Sequence, residues 1–303
     1  MVVPVYNERE SIEETIRLLV KNLAGTNFEL IVINDGSSDG TAKILDELQS
    51  EYPFIITASH ECNRGYGAAL KTGIRMSRSE FVAITDADTT YPNERIPELV
   101  GLAKNADMVV GARITDDVTY SITRTFPKMV LSAYSSWLAR RRIPDLNSGL
   151  RVMRKSVVER FLRILPDSFS FTTTITLARL INYYNVRYVP ISYAKRIGKS
   201  KIDPIRDTLR FVALIIRTGI YFAPLRVFLP VAMVFGIAFV ASFVFDLMNR
   251  DLTEKTLMLL SLSLSTTMFA LLADMIDKRT EKIAVQTQPR LVRAARSATA
   301  RTT

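Results

Sequence analysis

The sequence predicts an α/β fold, a doubly wound and mostly parallel sheet flanked by helices, followed by interfacial helices and a two-helix transmembrane hairpin. Three observations carry that prediction: short apolar runs alternate with amphipathic segments up to about residue 112, polar clusters close those runs, and long uncharged apolar stretches lie near the C-terminus. At 303 residues the chain can bury a full α/β core and still carry a second element. Its hydrophobic fraction of 48% is high for a purely soluble enzyme, and the excess is concentrated after residue 205.

In chain order the strand candidates are "MVVPV", "FELIVIND", "FIITAS", "FVAITDAD" and "ADMVVGAR". Each is a short run suited to burial on both faces of a parallel sheet. Between them lie "ERESIEETIRLLVKNL", "GTAKILDELQSEY", "GYGAALKTGIRMS" and "NERIPELVGLAKN", which have helical periodicity. A βαβα order of this kind places a ligand site at the carboxyl ends of the strands. The polar clusters sit at those ends.

Beyond this α/β domain, residues 1–202, the segment 203–224 intersperses Arg206, Arg210 and Arg217 with apolar residues and predicts an amphipathic interfacial helix. Residues 122–142, with Tyr134 and Trp137, suit either a similar interfacial role or an ordinary helix packed on the sheet. Two membrane spans follow within 225–276, at about 225–247 and 256–276. Each approaches the roughly 20 apolar residues a bilayer requires. Two buried helices of a soluble bundle are the duller alternative, but nothing else in the chain could cover them.

The basic tail, 277–303, sets Lys278, Arg279, Lys282, Arg290, Arg293, Arg296 and Arg301 against Asp277 and Glu281. The positive-inside rule then places the tail and the N-terminal domain in the cytoplasm, on the cytoplasmic membrane or, in a eukaryote, the ER membrane. No signal peptide is read at the start, because "MVVPVYNERE" turns charged within ten residues. The net charge of +10 suits nucleic acid or anionic lipid. Its concentration in "LARRR", "KRIGKSK" and the tail points to phosphate headgroups and a membrane surface, and away from nucleic acid.

Cysteine and histidine exclude other chemistries. Cys62 is the one cysteine, so no intramolecular disulfide or cysteine-rich zinc site can form, and His60 is the one histidine. A Ser-His-Asp triad or histidine metal site is poorly supported, and His60 reads as an ordinary strand-end or loop residue.

What remains is carboxylate chemistry. "VYNERE", "NDGSSDGT" and "TDADTTYP" follow the first, second and fourth strands. By itself "NDGSSDGT" is a tight turn with Ser38 or Asp39 capping the helix near Thr41. Position adds meaning: Glu8, Asp35 and the Asp86/Asp88 pair would converge on one crevice, where like charges repel unless a cation or donors compensate. Mg2+ or Mn2+ bound by one or two carboxylates together with substrate phosphates fits.

At this point the ordered set "VVPVYNE", "VINDGSSDGT", "NRGYGAALKTG", "AITDADTTYPNE", "VVGAR", "NSGLRVMRKS" and "VPISYAKRIGKSKI" resembles family 2 glycosyltransferases of the GT-A fold, in particular the polyprenyl-phosphate sugar synthases. The resemblance covers about residues 1–202. It implies inverting, metal-dependent transfer of a sugar from a GDP- or UDP-linked donor to a polyprenyl-phosphate acceptor, in contact with membrane lipid, and leaves a homo-oligomer open. It further implies that Pro4, Tyr6, Glu8 and Asp35 line the nucleoside pocket and that Asp86 and Asp88 form a DxD-type motif, Asp88 being the more direct metal ligand. Arg113 would face the donor diphosphate, and Arg196, Ser200 and Lys201 would bind the acceptor phosphate.

The chemistry agrees. Cleaving the anomeric bond leaves negative charge on a diphosphate, which a metal and nearby cations stabilise, and an anionic lipid phosphate is a nucleophile that needs no general base. "KRIGKSK" has a second reading, attraction of bulk anionic lipid, and Gly198 favours close approach to a phosphate.

The sequence also departs from the family pattern. Thr90 stands where relatives often carry Gln, which predicts altered metal geometry or donor preference. The first strand begins at Met1, which predicts a few residues missing upstream and an incomplete edge to the nucleoside pocket. A glycolipid- or polysaccharide-extending transferase is the alternative function, lowered by the absence of Q-x-x-R-W. A non-catalytic nucleotide-binding membrane scaffold is disfavoured by the intact aspartates.

Overall fold

The computed structural model describes the backbone of residues 1–114, 132–194 and 204–299 and the side chains of 1–114, 132–194 and 212–276. The chain forms two compact units, Met1–Ile215 and Ile216–Thr303.

The first unit is built on a seven-stranded sheet of order β3-β2-β1-β4-β6-β5-β7. The strands are β1 (Val2–Val5), β2 (Leu30–Asn34), β3 (Ile55–Ser59), β4 (Phe81–Ile84), β5 (Met108–Ala112), β6 (Arg151–Arg154) and β7 (Val186–Pro190). The first five match the apolar runs of the sequence. The other two were not expected as strands. β6 runs antiparallel to both β4 and β5, while the remaining pairings are parallel. A reversed strand changes which loops meet, because its amino end lies beside its neighbours' carboxyl ends.

Helices α1 (Ile12–Leu23), α2 (Thr41–Glu51), α3 (Tyr66–Met76) and α4 (Ile96–Ala103) occupy the predicted helical segments. Further on, residues 132–139 form helical α5, followed by α6 (Lys155–Phe161) and α7 (Phe171–Ile181). Ile12, Ile16, Leu19 and Leu23 recur at helical spacing on α1 and are buried with Val3, Val5, Val32, Leu99 and Val109 in the main core. Every residue of α7 is buried.

Pro4 has a particular consequence in this sheet. The carbonyls of Met1 and Val5 accept from Ile31 and Asp35, so the odd residues of β1 point their polar groups at β2. By strand alternation Val2 and Pro4 face β4, and Val2 does accept from Thr85 at 3.4 Å. Proline has no N–H to extend that ladder. The β1–β4 pairing stops at Val2–Ile84.

In the second unit α9 (Pro224–Asn249) and α10 (Glu254–Thr299) pack against each other after α8 (Pro204–Phe222). The stretches Pro224–Asn249 and Glu254–Ile276 are each long and apolar enough to cross a membrane, and only 6% and 11% of their most apolar windows is buried. They contain the two spans expected from sequence. Asp246 ties the connecting turn: its Oδ2 accepts from Thr253 N at 2.9 Å, Thr253 Oγ1 at 2.8 Å and Thr256 Oγ1 at 2.6 Å. Arg250 ends α9 in the left-handed region at φ 54.

Candidate functional site

The carboxyl ends of the adjacent parallel strands β2, β1 and β4 carry Asp35, Tyr6 to Glu8, and Asp86 to Asp88 on one edge of the sheet. The loop before β6 joins them there because β6 is reversed.

Asp86 is held from two sides. Tyr66, the first residue of α3, donates its hydroxyl to Asp86 Oδ1 at 2.9 Å. Burial and the nearby Asp86 charge push that hydroxyl well above the ordinary tyrosine range, so it stays a neutral donor. On the other side lies Gly149, where an added Cβ would stand 2.6 Å from Asp86 Oδ2. Gly149 N–H in turn donates to the buried Tyr91 hydroxyl at 2.6 Å.

Asp88 is buried, and Thr90 turns back on it: Thr90 Oγ1 donates to Asp88 Oδ1 at 2.6 Å and Thr90 N at 3.3 Å. The turn depends on Thr89 at φ 56, an uncommon conformation for a β-branched residue. Thr90 therefore orients Asp88 as its hydrogen-bond donor, and its carbonyl accepts from Ala194 N at 3.0 Å.

Asp35 is 2% exposed. Its carboxylate makes contact with His60 Nδ1 at 2.6 Å and accepts from Arg64 N at 3.0 Å and Gly65 N at 2.8 Å, fixing the loop that leads into α3. His60 is thus a partner of a site residue, beyond the ordinary loop residue expected. Tyr6 is 37% exposed, and Glu8 Oε2 accepts from Ser11 Oγ at 3.2 Å while its carbonyl starts α1. Asn7 and Ser37 to Thr41 zip the two loops together, and Asp39 accepts from Thr41 N at 3.0 Å, but the N-cap of α2 is Gly40 and not the expected Ser38 or Asp39. Glu8, Asp35 and the aspartate pair occupy neighbouring strand ends without pooling: among the described residues no three His, Cys, Asp or Glu side chains are grouped to hold a metal ion.

Arg113, at the end of β5, forms a fork with Asp145, Nε to Oδ2 at 2.8 Å and Nη2 to Oδ1 at 2.9 Å, and its own N–H adds a third bond at 3.1 Å. Burial pushes the Asp145 carboxyl up, but the hydrogen bonds and charge of Arg113 outweigh it and hold the group below its ordinary range. The guanidinium also lies 5.2 Å over the Tyr193 ring, which meets Tyr91 edge to face at 5.2 Å. Arg151, wholly buried, holds the same loop by donating Nε to the Ser148 carbonyl at 3.1 Å and Nη1 to the Thr172 carbonyl at 3.0 Å. Arg196, Ser200 and Lys201 lie outside the described residues, as does the part 122–131 of the segment 122–142. Within the remainder of that segment Trp137 is 49% exposed and packs on Tyr134 at 5.7 Å.

Sequence reasoning assigned no role to Tyr66, Tyr91, Asp145, Gly149 or Arg151. The signal was present in the motifs "NRGYG" and "NSGLR", where a tyrosine between glycines and a glycine before a buried strand mark close backbone approach.

Residues 1–162 match the family described as Glycosyl transferase family 2, and residues 223–278 match the GtrB C-terminal hairpin. The chain is 29% identical to a dolichol-phosphate mannosyltransferase of Pyrococcus furiosus, over 67% of this chain and 58% of that protein. It is 31% identical to an undecaprenyl-phosphate 4-deoxy-4-formamido-L-arabinose transferase of Pseudomonas savastanoi, over 68% of this chain and 61% of that one. With the Proteus mirabilis protein of the same name the identity is 30%, over 78% and 72%. The matches thus span about three fifths of the first two relatives' lengths. The fold is shared with glucosyl-3-phosphoglycerate synthase from Mycobacterium tuberculosis, solved with Mn2+, UDP and its product, at a TM-score of 0.53 and 18% identity over 72% of this chain and 78% of that one.

Proposed function

From the premise that this chain belongs to glycosyl transferase family 2, we propose that it transfers a sugar from a nucleotide sugar to the phosphate of a polyprenyl phosphate at the cytoplasmic face of a membrane. One observation carries the reading: the family match over 1–162 and the hairpin match over 223–278 occur in one chain. A glycosyltransferase anchored by such a hairpin meets acceptors that stay in the bilayer plane, and the named relatives act on dolichol and undecaprenyl phosphates.

Asp86 and Asp88 offer hard oxygen donors, and no third acidic, histidine or cysteine side chain is grouped with them among the described residues. That donor set suits Mg2+ or Mn2+ completed by phosphate oxygens. When bound, the ion would offset the charge that develops on the leaving diphosphate. The chain's own residues do the holding. Tyr66 and the Gly149 backbone fix Asp86, Thr90 fixes Asp88, and Asp145 and Tyr193 fix Arg113 toward the donor side, so little reorganisation is needed as charge builds. Pro4, which ends the β1–β4 ladder, and Tyr6, Glu8 and Asp35, which follow β1 and β2, take the nucleoside. Arg196, Ser200 and Lys201 receive the acceptor phosphate, which attacks as an anion without a general base.

The test is to incubate the full chain in detergent with Mg2+ or Mn2+, polyprenyl phosphates and a panel of GDP- and UDP-sugars, and to detect the lipid-linked product. Turnover is expected with at least one pair and is expected to fall by more than about a hundredfold in Asp88→Asn. Wild-type protein that hydrolyses or transfers no sugar to any polyprenyl phosphate would reject the reading.

A further inference from the structure

Phe169 is 76% exposed, yet it is not loosely held. Its loop is fastened to the start of α3: Ala68 N–H donates to the Asp167 carbonyl at 3.1 Å, and Lys71 Nζ donates to Asp167 Oδ1 at 2.7 Å. A Cβ on Gly65 or Gly67 would overlap the backbone of Asp167 or Pro166, and Gly65 sits at φ +103. The two glycines of "NRGYG" therefore make room for this loop. The loop lays the Phe169 ring flat on Tyr66, with centroids 5.2 Å apart and planes 11° from parallel. Tyr66 in turn holds Asp86. The phenyl ring is thus offset-stacked on Tyr66 and placed at one tyrosine's remove from Asp86.

We propose that Phe169 is an apolar subsite for the acceptor, its outer face receiving the isoprene unit next to the lipid phosphate; this rests on the polyprenyl-phosphate reading above. An acceptor phosphate that attacks a sugar whose diphosphate lies at Asp86 and Asp88 keeps its first isoprene unit beside those carboxylates. Hydrocarbon there needs an apolar surface within a crevice that is otherwise charged. A phenyl ring supplies contact area and no hydrogen bond, which matches a hydrocarbon better than the hydroxyl-bearing rim of a sugar. Rigid mounting limits the entropy lost when the ligand settles on it.

The experiment compares wild type, Phe169→Ala and Phe169→Leu in steady-state kinetics, with isoprenyl phosphates of increasing length as acceptors. Loss of a largely exposed ring is expected to leave the fold intact, which a thermal melt checks. Phe169→Ala is expected to raise the acceptor KM about tenfold while the nucleotide-sugar KM stays within about twofold. Phe169→Leu is expected to restore most of the acceptor KM, because apolar area and not aromaticity is required. An unchanged acceptor KM in Phe169→Ala overturns the subsite. So does a raised donor KM in both variants, which assigns the ring to the sugar. A wild type inactive with every isoprenyl phosphate removes the function and the subsite together, whereas an active wild type beside an indifferent Phe169→Ala removes the subsite alone.

Discussion

Asp145 shows what a single side chain contributes here. It is 5% exposed, binds Arg113 through three hydrogen bonds and accepts a fourth from Asn147 N at 3.1 Å. Its carboxyl is depressed in the folded state, so its stabilisation is complete above the unfolded carboxyl's range and is lost as pH falls through the lower folded value. Asp145→Asn is expected to cost about 3 kcal/mol at neutral pH, because it strands a guanidinium. The gap from wild type should begin to narrow below about pH 4, where the unfolded chain's carboxyl takes up its proton, and close as pH falls through the lower folded value; chemical denaturation across pH reads it. A pH-independent gap would mean the pair contributes through packing only. At this scale the sequence disclosed the aspartates of "TDAD", since paired carboxylates after an apolar run have few structural uses. It did not disclose what Arg113 binds, because an ion pair between β5 and a distant loop leaves no local pattern.

At the scale of elements, β6 matters most. β1 to β5 were legible because each is a nearly unbroken apolar run. β6 and β7 were not, because "RVMR" and "VRYVP" carry arginines that interrupt such a run. Arg151 can lie wholly buried in β6 only because carbonyls and Thr176 receive its N–H groups. The reversed direction of β6 brings Gly149 against Asp86, and a methyl group there has nowhere to go but into the carboxylate. Gly149→Ala is therefore expected to displace Asp86 and cut turnover on the order of a hundredfold, while the melting temperature moves little. Full activity in this variant would show that Asp86 can shift without penalty. The helices α1 to α4 were legible for the complementary reason, that each keeps one apolar stripe against the sheet.

For the whole molecule, the two apolar helices and the basic tail make topology testable. With Cys62, which is exposed, replaced by serine, a cysteine at Asn249, the last residue of α9 before the turn, is expected to react with a membrane-impermeant reagent in intact cells. One at Thr302 in the tail is expected to stay protected until the membrane is opened; the reverse pattern would invert the orientation. The two long apolar helices were legible because hydropathy over some twenty residues needs no tertiary information, whereas the stacking of Phe169 on Tyr66 required knowing which loop docks on α3. The backward strand also imposes a timetable on synthesis. Chains emerge N-terminus first at about 5–20 residues per second, so β1 to β4 and their carboxylates leave the ribosome well before Gly149 and β6 exist to close over Asp86. Until then the nascent sheet ends in an unpaired β4 edge. β6 ends at Arg154 and α9 begins at Pro224, so that edge can be sealed, and Asp86 closed over, before either of the two long apolar helices has been made.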